Sequence, residues 1–485
     1  MSRLLITSTD IKDNRMAISQ GKAAAHQLGK GVSTKQITMI SIGGVIGAGL
    51  FVGSSNAIAT AGPAVLISYL IAAVIVILVM QMLGEMATSR PDTGSFSSYA
   101  DEALGRWAGF TIGWLYWWFY VLVIAIEAIA AGNILSQWLP LSAPVCALLM
   151  TSALIVTNCL HVKNYGKLEY WLSFVKVASI VIFLVLGVVA MLGLMPHSSV
   201  QGIHHLWADG GFLPKGSTAI LTGLLVAMFS FQGSEIVTIA AAESDDPRNN
   251  IKRAIKAVVW RLGLFYLGSM FVVIALVPWN DPKLTVGSYQ AVLSAMNIPY
   301  AAGIMQAVVL VAVTSCLNSS IYVSSRMVYS LAKRGDCMSS LAQTTSHGVP
   351  LKAILATSVI VFGVILVNYA VGKDFFMFLL STSGAVVLLM YLVIAITQLY
   401  MRKKMVAMGE TPIVKMWLFP YLNYITIVGI VCMMGLMTIF PESRNELVST
   451  FILTAILITI GFYLQKRQPK LSSQRHLGQF ISKDA

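Results

Sequence analysis

Three ionisable side chains lie inside strongly apolar runs. They are Glu127 in Leu122-Val123-Ile124-Ala125-Ile126-Glu127-Ala128, Lys176 in Phe174-Val175-Lys176-Val177-Ala178-Ser179, and Glu235 in Phe229-Ser230-Phe231-Gln232-Gly233-Ser234-Glu235-Ile236. A charge at membrane depth is costly, and it is kept there to relay protons, to pair with another charge or to meet a polar solute. Two carboxylates and one ammonium group suit acid–base work on a proton rather than on a covalent bond. A permanent ion pair of Lys176 with Glu127 or Glu235 is the plainer alternative. Glu85 and Arg326 lie nearer the ends of their apolar runs and read as structural partners between helices.

Two apolar segments are also broken in matching ways. The first reads Ile42-Gly43-Gly44-Val45-Ile46-Gly47-Ala48-Gly49-Leu50-Phe51-Val52-Gly53, and the second is the Phe229 to Ile236 stretch. A helix in lipid must satisfy its own backbone hydrogen bonds, so unwound chain is tolerated only where it lines a cavity or is buried in protein. Glycine-interrupted segments at corresponding positions of two halves point to a transport site at the midplane. The Gly44–Gly49 break should expose backbone N–H groups at a half-helix N-terminus, which suits a carboxylate; close glycine packing between helices is the alternative. The second break should expose the carbonyls of Phe229, Phe231 and Gln232, which suit an ammonium group. Donors for a carboxylate beside acceptors for an amine match what an amino acid presents. The ring of Phe229, directly before the second break, is placed to act as a lid. The aromatic run Trp114, Tyr116, Trp117, Trp118, Phe119 and Tyr120 reads as packing and lipid-belt residues.

These residues need a membrane scaffold to hold them, and composition supplies one. The 485-residue chain is 57% hydrophobic and 11% charged, against about 25% charged in soluble domains. About twelve spans fit, near 36–61, 64–87, 107–137, 141–159, 170–194, 216–241, 256–278, 301–332, 352–371, 375–401, 415–440 and 447–465. With both ends on the inner side, 28 of the 33 Lys and Arg fall in inner segments, four (Lys215, Lys283, Lys373 and Arg444) in outer loops, and Lys176 within a span. That is a strong positive-inside pattern. It assigns the net charge of +13 to inner-leaflet lipid rather than to nucleic acid.

Residues 1–35 read as a cytoplasmic N-terminal tail, 36–467 as the membrane domain and 468–485 as a cytoplasmic C-terminal tail. The N-terminal stretch lacks the apolar h-region of a signal peptide. Breaks in spans one and six divide ten spans into two units of five. Odd units have opposite orientation, so the expected fold is all-α and integral to the membrane: about twelve transmembrane helices, a five-plus-five inverted repeat, spans eleven and twelve added. The five cysteines lack metal spacing and read as small apolar residues. The outer loop with His197, His204, His205 and Trp207 reads as interfacial. The inner stretches starting Pro91-Asp92-Thr93-Gly94-Ser95-Phe96, Glu243-Ser244-Asp245-Asp246-Pro247-Arg248 and Lys333-Arg334-Gly335-Asp336 read as turns and caps. No nucleotide loop, metal motif or paired catalytic constellation is present, which argues against a membrane-embedded enzyme and against a cofactor.

Four stretches together carry a resemblance over nearly the whole length: Gly44-Val45-Ile46-Gly47-Ala48-Gly49-Leu50-Phe51, Pro91 to Phe96, Gly113-Trp114-Leu115-Tyr116-Trp117-Trp118, and Glu235-Ile236-Val237-Thr238-Ile239-Ala240-Ala241-Ala242-Glu243-Ser244. The chain resembles the bacterial amino acid permeases of the amino acid–polyamine–organocation superfamily. It is most similar to the γ-aminobutyrate permeases, through the last two stretches and Leu122 to Ala128. The resemblance implies proton-coupled uptake of a small neutral amino acid at the bacterial inner membrane. Its partners would be the amino acid, protons and membrane lipid. The expected substrate-binding set is Val45, Ala48, Gly49, Phe229, Phe231, Gln232 and Gly233, together with Glu127, which its own place in span three puts near the substrate's side chain or amine. Backbone near Ala48 and Gly49 would hold the carboxylate, and carbonyls from Phe231 to Gly233 the amine. Lys176 would serve proton coupling, at the place where sodium-coupled relatives hold sodium; Glu235, from its own place directly after the second break, is expected to couple binding to gating. Ala48 stands where the family often has Ser, so backbone donors must suffice. The rivals are an exchanger, a permease for another neutral amino acid, and a nutrient sensor that binds without transporting; the sensor would be expected to add a long tail or soluble domain.

Overall fold

A computed structural model of the chain describes residues 33–43, 46–160, 162–195, 198, 200–285, 287–439 and 441–467. Among them the regular structure is helical, with no strand. Span one is interrupted: Thr34–Gly43 is followed, after the break, by a π-helical turn Gly49–Gly53 and by Ser54–Ala61. Span two is Val65–Ser89, span three Arg106–Leu135, span four Ala143–Leu160 and span five Val162–Met191. Span six is interrupted again, as Ala219–Ser230 and Ile236–Ala242. Spans seven to nine are Pro247–Leu276, Ala301–Lys333 and Leu351–Val371. Spans ten to twelve are Lys373–Ala407, Tyr421–Ile439 and Pro441–Arg467.

Among the described residues, ten uninterrupted stretches are long and apolar enough to cross a membrane. They correspond to twelve spans for a simple reason. Span one's outer half runs into span two through Gly62–Ala64, and the two halves of span six are each too short to count.

Span five begins at Val162 rather than 170, and span seven at Pro247 rather than 256. Hydropathy marks where the chain enters hydrocarbon, whereas the start of a helix is set by capping. Asp246 accepts the Asn249 N–H, and Pro247 takes the first turn, where its missing N–H costs nothing. The helix therefore starts in the polar surface zone.

Lipid is as apolar as leucine, so small residues and polar contacts must hold the spans together. Span five displays this division. Trp171, Phe174, Ile182 and Val185 are exposed, while Glu169, Ser173 and Lys176 are fully buried against the bundle.

Candidate functional site

The two breaks meet. Ser230, at the end of span six's first half, donates its hydroxyl to the Gly49 carbonyl at 2.8 Å. A Cβ on Gly49 would lie 2.7 Å from the Ser230 Cα and 3.3 Å from the Phe229 ring. Glycine is required there because two backbones touch. Gly233 has φ +97, a left-handed conformation that lets the chain turn between the two half-helices. The turn closes by Gln232 N–H to Phe229 O and Ile236 N–H to Gly233 O, both 3.2 Å.

Between the breaks and span three lies a cavity lined by Gly49, Tyr120, Glu127, Phe229, Gln232 and Gly233, among others. Its volume is about 20 Å³, enough for one water or so. An amino acid enters only if the lining moves, and Phe229, packed against Gly49, is the bulky part of that lining.

Glu127 occupies the first break. Its carboxylate accepts the Ala48 N–H at 3.1 and 3.3 Å, and it fits because Gly47 has no side chain there; a Cβ would sit 2.7 Å from Oε1. The Ala48 amide thus already holds a carboxylate, one supplied by the protein. The Ala48 methyl faces away, into a small cluster with Ala130, Ala131 and Val313. Phe231 also lies off the cavity, its ring buried between Tyr69 and Tyr266, and its carbonyl accepts the Ser234 hydroxyl at 3.2 Å. Of the carbonyls expected to be exposed, those of Phe229 and Phe231 are therefore partly used by the turn itself. The Gln232 side chain lines the cavity, and its Oε1 is buried without a hydrogen-bond partner. Val45 lies outside the described residues.

Lys176 reaches from span five to the same break. Its ammonium donates to the Ile46 carbonyl at 3.0 Å and to Ser315 Oγ of span eight at 2.7 Å. Its carboxylate neighbour is Glu169, at 4.0 Å, rather than Glu127 or Glu235. Glu235 sits behind the second break and accepts from Tyr120 (2.9 Å), Tyr116 (3.2 Å), the Gly233 N–H (3.2 Å) and Gln232 Nε2 (3.4 Å).

The polar residues nearer the span ends form pairs. Arg326 binds Glu243 at 3.1 Å and stacks 3.8 Å over the Tyr322 ring. Glu85 forms an ion pair with Arg402 (2.6 Å) and accepts from Gln398 (2.9 Å) and the Met416 N–H (2.6 Å). The Pro91 to Phe96 turn closes through Asp92, which accepts the Gly94 N–H at 2.6 Å, and docks on span six through Ser95 and Thr238, 2.9 Å apart.

Sequence reasoning missed Tyr120, Cys316 and Ser320 of the lining, and Glu169 and Ser315 beside Lys176. Two signals were available. Tyr116, Tyr120 and Glu127 recur at spacings of four and seven along span three, and Glu169 and Lys176 are seven apart on span five; both patterns share one helix face. Glu169 escaped notice because it fell one residue before the expected start of its span.

Twelve spans, with the first and sixth interrupted around a shared buried cavity, define the class: a solute transporter of the broken-helix, inverted-repeat kind. The model of the amino acid permease family matches residues 36–472, and the chain belongs to that family. It is 54% identical to a probable GABA permease of Pseudomonas aeruginosa, covering 92% of this chain and 94% of the relative. It is 51% identical to the gamma-aminobutyric acid permease of Escherichia coli, covering 89% and 93%. The same-named protein of Bacillus subtilis is 44% identical, covering 91% and 94%. Among solved structures, a mutant manganese transporter of Eremococcus coleocola superposes with a TM-score of 0.56 at 13% identity, over 91% of this chain and 94% of that one, a likeness of fold alone.

Proposed function

We propose that the chain is a proton-coupled importer of γ-aminobutyrate, or of a closely similar small neutral amino acid, and that it performs no covalent chemistry on its cargo. The substrate follows the names of the three relatives above. The observation that carries the reading is the cavity between the two breaks, lined by Gly49 and Glu127 beside the Ala48 amide and by Gln232, whose side-chain oxygen has no hydrogen-bond partner. Backbone at Ala48 and Gly49 receives the substrate carboxylate once Glu127 yields the amide. Gln232, with the carbonyls from Phe231 to Gly233, receives the amine. Phe229 closes over the cavity. Val45 belongs to the same proposed set.

Lys176 carries the coupling proton. Charged, it ties span five to the Ile46 carbonyl of the broken span; neutral, it holds that carbonyl weakly. Glu235 links the second break to span three and so to gating. The charge distribution supports an inner-membrane protein with residues 1–35 and 468–485 as cytoplasmic tails on a 36–467 permease domain. Anionic lipid would meet the basic inner surface, and nucleic acid has no part.

Uptake of labelled γ-aminobutyrate by proteoliposomes tests this. Accumulation should need an inwardly directed proton gradient, proceed without sodium, and be competed by close analogues ahead of aromatic or charged amino acids. A sodium requirement would remove Lys176 from the coupling role. Exchange unaffected by the proton gradient would make the protein an exchanger.

A further inference from the structure

Lys176 is buried at the break, and a proton released there needs a way out. Its surroundings provide one that leads along span five. Ser315 Oγ accepts from the Lys176 ammonium at 2.7 Å and donates its own hydrogen to Glu169 Oε1. Glu169 also accepts from Ser173 at 3.2 Å and, on its other oxygen, from Asn318 at 3.3 Å, and Asn318 is held by Asn158 at 2.8 Å. Glu169, Ser173, Lys176, Ser315 and Asn318 have no solvent exposure, and Asn158 has almost none.

We propose that Glu169 receives the coupling proton of Lys176 through the hydroxyl of Ser315. The inference rests on the reading of Lys176 as the coupling lysine. The step balances within three side chains. The ammonium passes a proton to Ser315 Oγ, and the hydroxyl hydrogen of Ser315 passes to Glu169 Oε1. An ammonium and a carboxylate become an amine and a carboxylic acid, with no change in net charge. Ser315 has one hydrogen, and it already points at the acceptor, so the bonding pattern sets the direction of transfer.

Two features favour a relay over a fixed ion pair. The charges are 4.0 Å apart and joined through a hydroxyl, rather than in direct contact. Moreover, seven residues of helix rise about 10 Å, so the acceptor belongs to a position two turns nearer the Tyr165 end of span five, the end that the charge distribution assigns to the cytoplasm. Tyr165, one turn beyond Glu169, bonds Ser319 at 3.3 Å. The other titratable groups acting on the pair are Glu127 of span three, Cys316 of span eight and Tyr165 itself. Of these, Cys316 hydrogen-bonds Glu127, whereas Ser315 bonds both Lys176 and Glu169.

Three variants, Glu169→Gln, Ser315→Ala and Ser315→Thr, decide the matter in proteoliposomes loaded with a pH-sensitive dye. One pH unit is worth about 1.4 kcal/mol, so the wild type should accumulate γ-aminobutyrate about tenfold at one proton per substrate. Glu169→Gln keeps the shape and one acceptor oxygen for Ser315 and Ser173, gives up the bond from Asn318 to the second oxygen, and takes no proton. It should lose gradient-driven accumulation and substrate-linked acidification, while counterflow, which needs no net proton movement, falls by no more than about threefold. Ser315→Ala should show the same split, and Ser315→Thr, which restores the hydroxyl, should regain proton flux. If the wild type ignores the pH gradient, the proton-coupling reading fails first. A gradient-driven wild type with an equally gradient-driven Glu169→Gln overturns the relay alone. If Glu169→Gln and Ser315→Ala lose counterflow together with accumulation, or if Ser315→Ala and Ser315→Thr behave alike, the cluster is a structural knot and the relay is overturned.

Discussion

At the scale of single residues, the carboxylate of Glu127 is the key to the first break. It accepts the Ala48 N–H, the donor that a substrate carboxylate would use. In the proposed binding mode the cargo's carboxylate and that of Glu127 compete for this one amide. Hydrogen bonds to a charged group contribute about 1.5–3 kcal/mol. Glu127→Gln should shift the affinity for competing amino acids by about tenfold or more, and change their order, at normal protein levels. An unchanged order in competitive uptake would leave Glu127 a packing residue.

The glycines of the break are separable by what their missing side chains would meet. At Gly49 a Cβ collides with the span six backbone, whereas at Gly53 it meets Val226 at an ordinary 3.5 Å. Gly49→Ala should therefore abolish uptake by prising the breaks apart, and Gly53→Ala should be tolerated to within about 0.5 kcal/mol of stability. Equal uptake by both variants would refute the contact as the reason for Gly49. That reason was invisible in the sequence, where Gly49 looked like a place for a ligand; only the neighbouring chain reveals Ser230 there.

At the scale of elements, span six works as two short helices around a glycine turn, and Glu235 clamps the turn to span three. Tyr116 and Tyr120 hold one of its oxygens, and the Gly233 N–H holds the other. Span three carries both this clamp and Glu127, so movement of span three against span six changes both breaks at once. Glu235→Gln retains one acceptor oxygen for Tyr116 and Tyr120 but removes the charge and the acceptor of the Gly233 N–H. It should flatten the pH dependence of uptake, read as initial rate against external pH, with the protein still folded. An unaltered profile would exclude Glu235 from gating. Sequence alone located the interruption of span six, because glycine and a carboxylate interrupt an apolar run. It did not locate the clamp, because Tyr116 and Tyr120 belong to a run of six aromatics whose inward and outward members differ only in helical phase.

At the scale of the whole molecule, most Lys and Arg fall in the segments on one side of the alternating spans, and faces such as that of span five turn apolar residues outward. The Arg326–Glu243 and Arg106–Asp336 pairs bury charge where helices meet near that basic side. Removing one member of such a pair costs about 3–5 kcal/mol, because its partner is left buried and unpaired. Glu243→Ala should therefore lower the thermal stability of the detergent-solubilised protein clearly, and replacing Arg326 by an apolar residue of similar size in the same protein should recover part of the loss. A single variant as stable as the wild type would show that water reaches the pair.

The sequence by itself determined the membrane class, the number of spans, the two interruptions and the presence of three buried charges. These rest on hydropathy, on glycine and on the cost of charge in lipid, all of which act along the chain. Tertiary structure alone decided the partners. Lys176 lies beside Glu169 and Ser315 rather than Glu127, Ala48 faces a carboxylate from span three, and Glu85 is bound by groups more than three hundred residues away. Such pairings depend on which helix faces meet. In lipid those faces are chosen by close packing and hydrogen bonds between spans, a choice that no local pattern in the chain encodes.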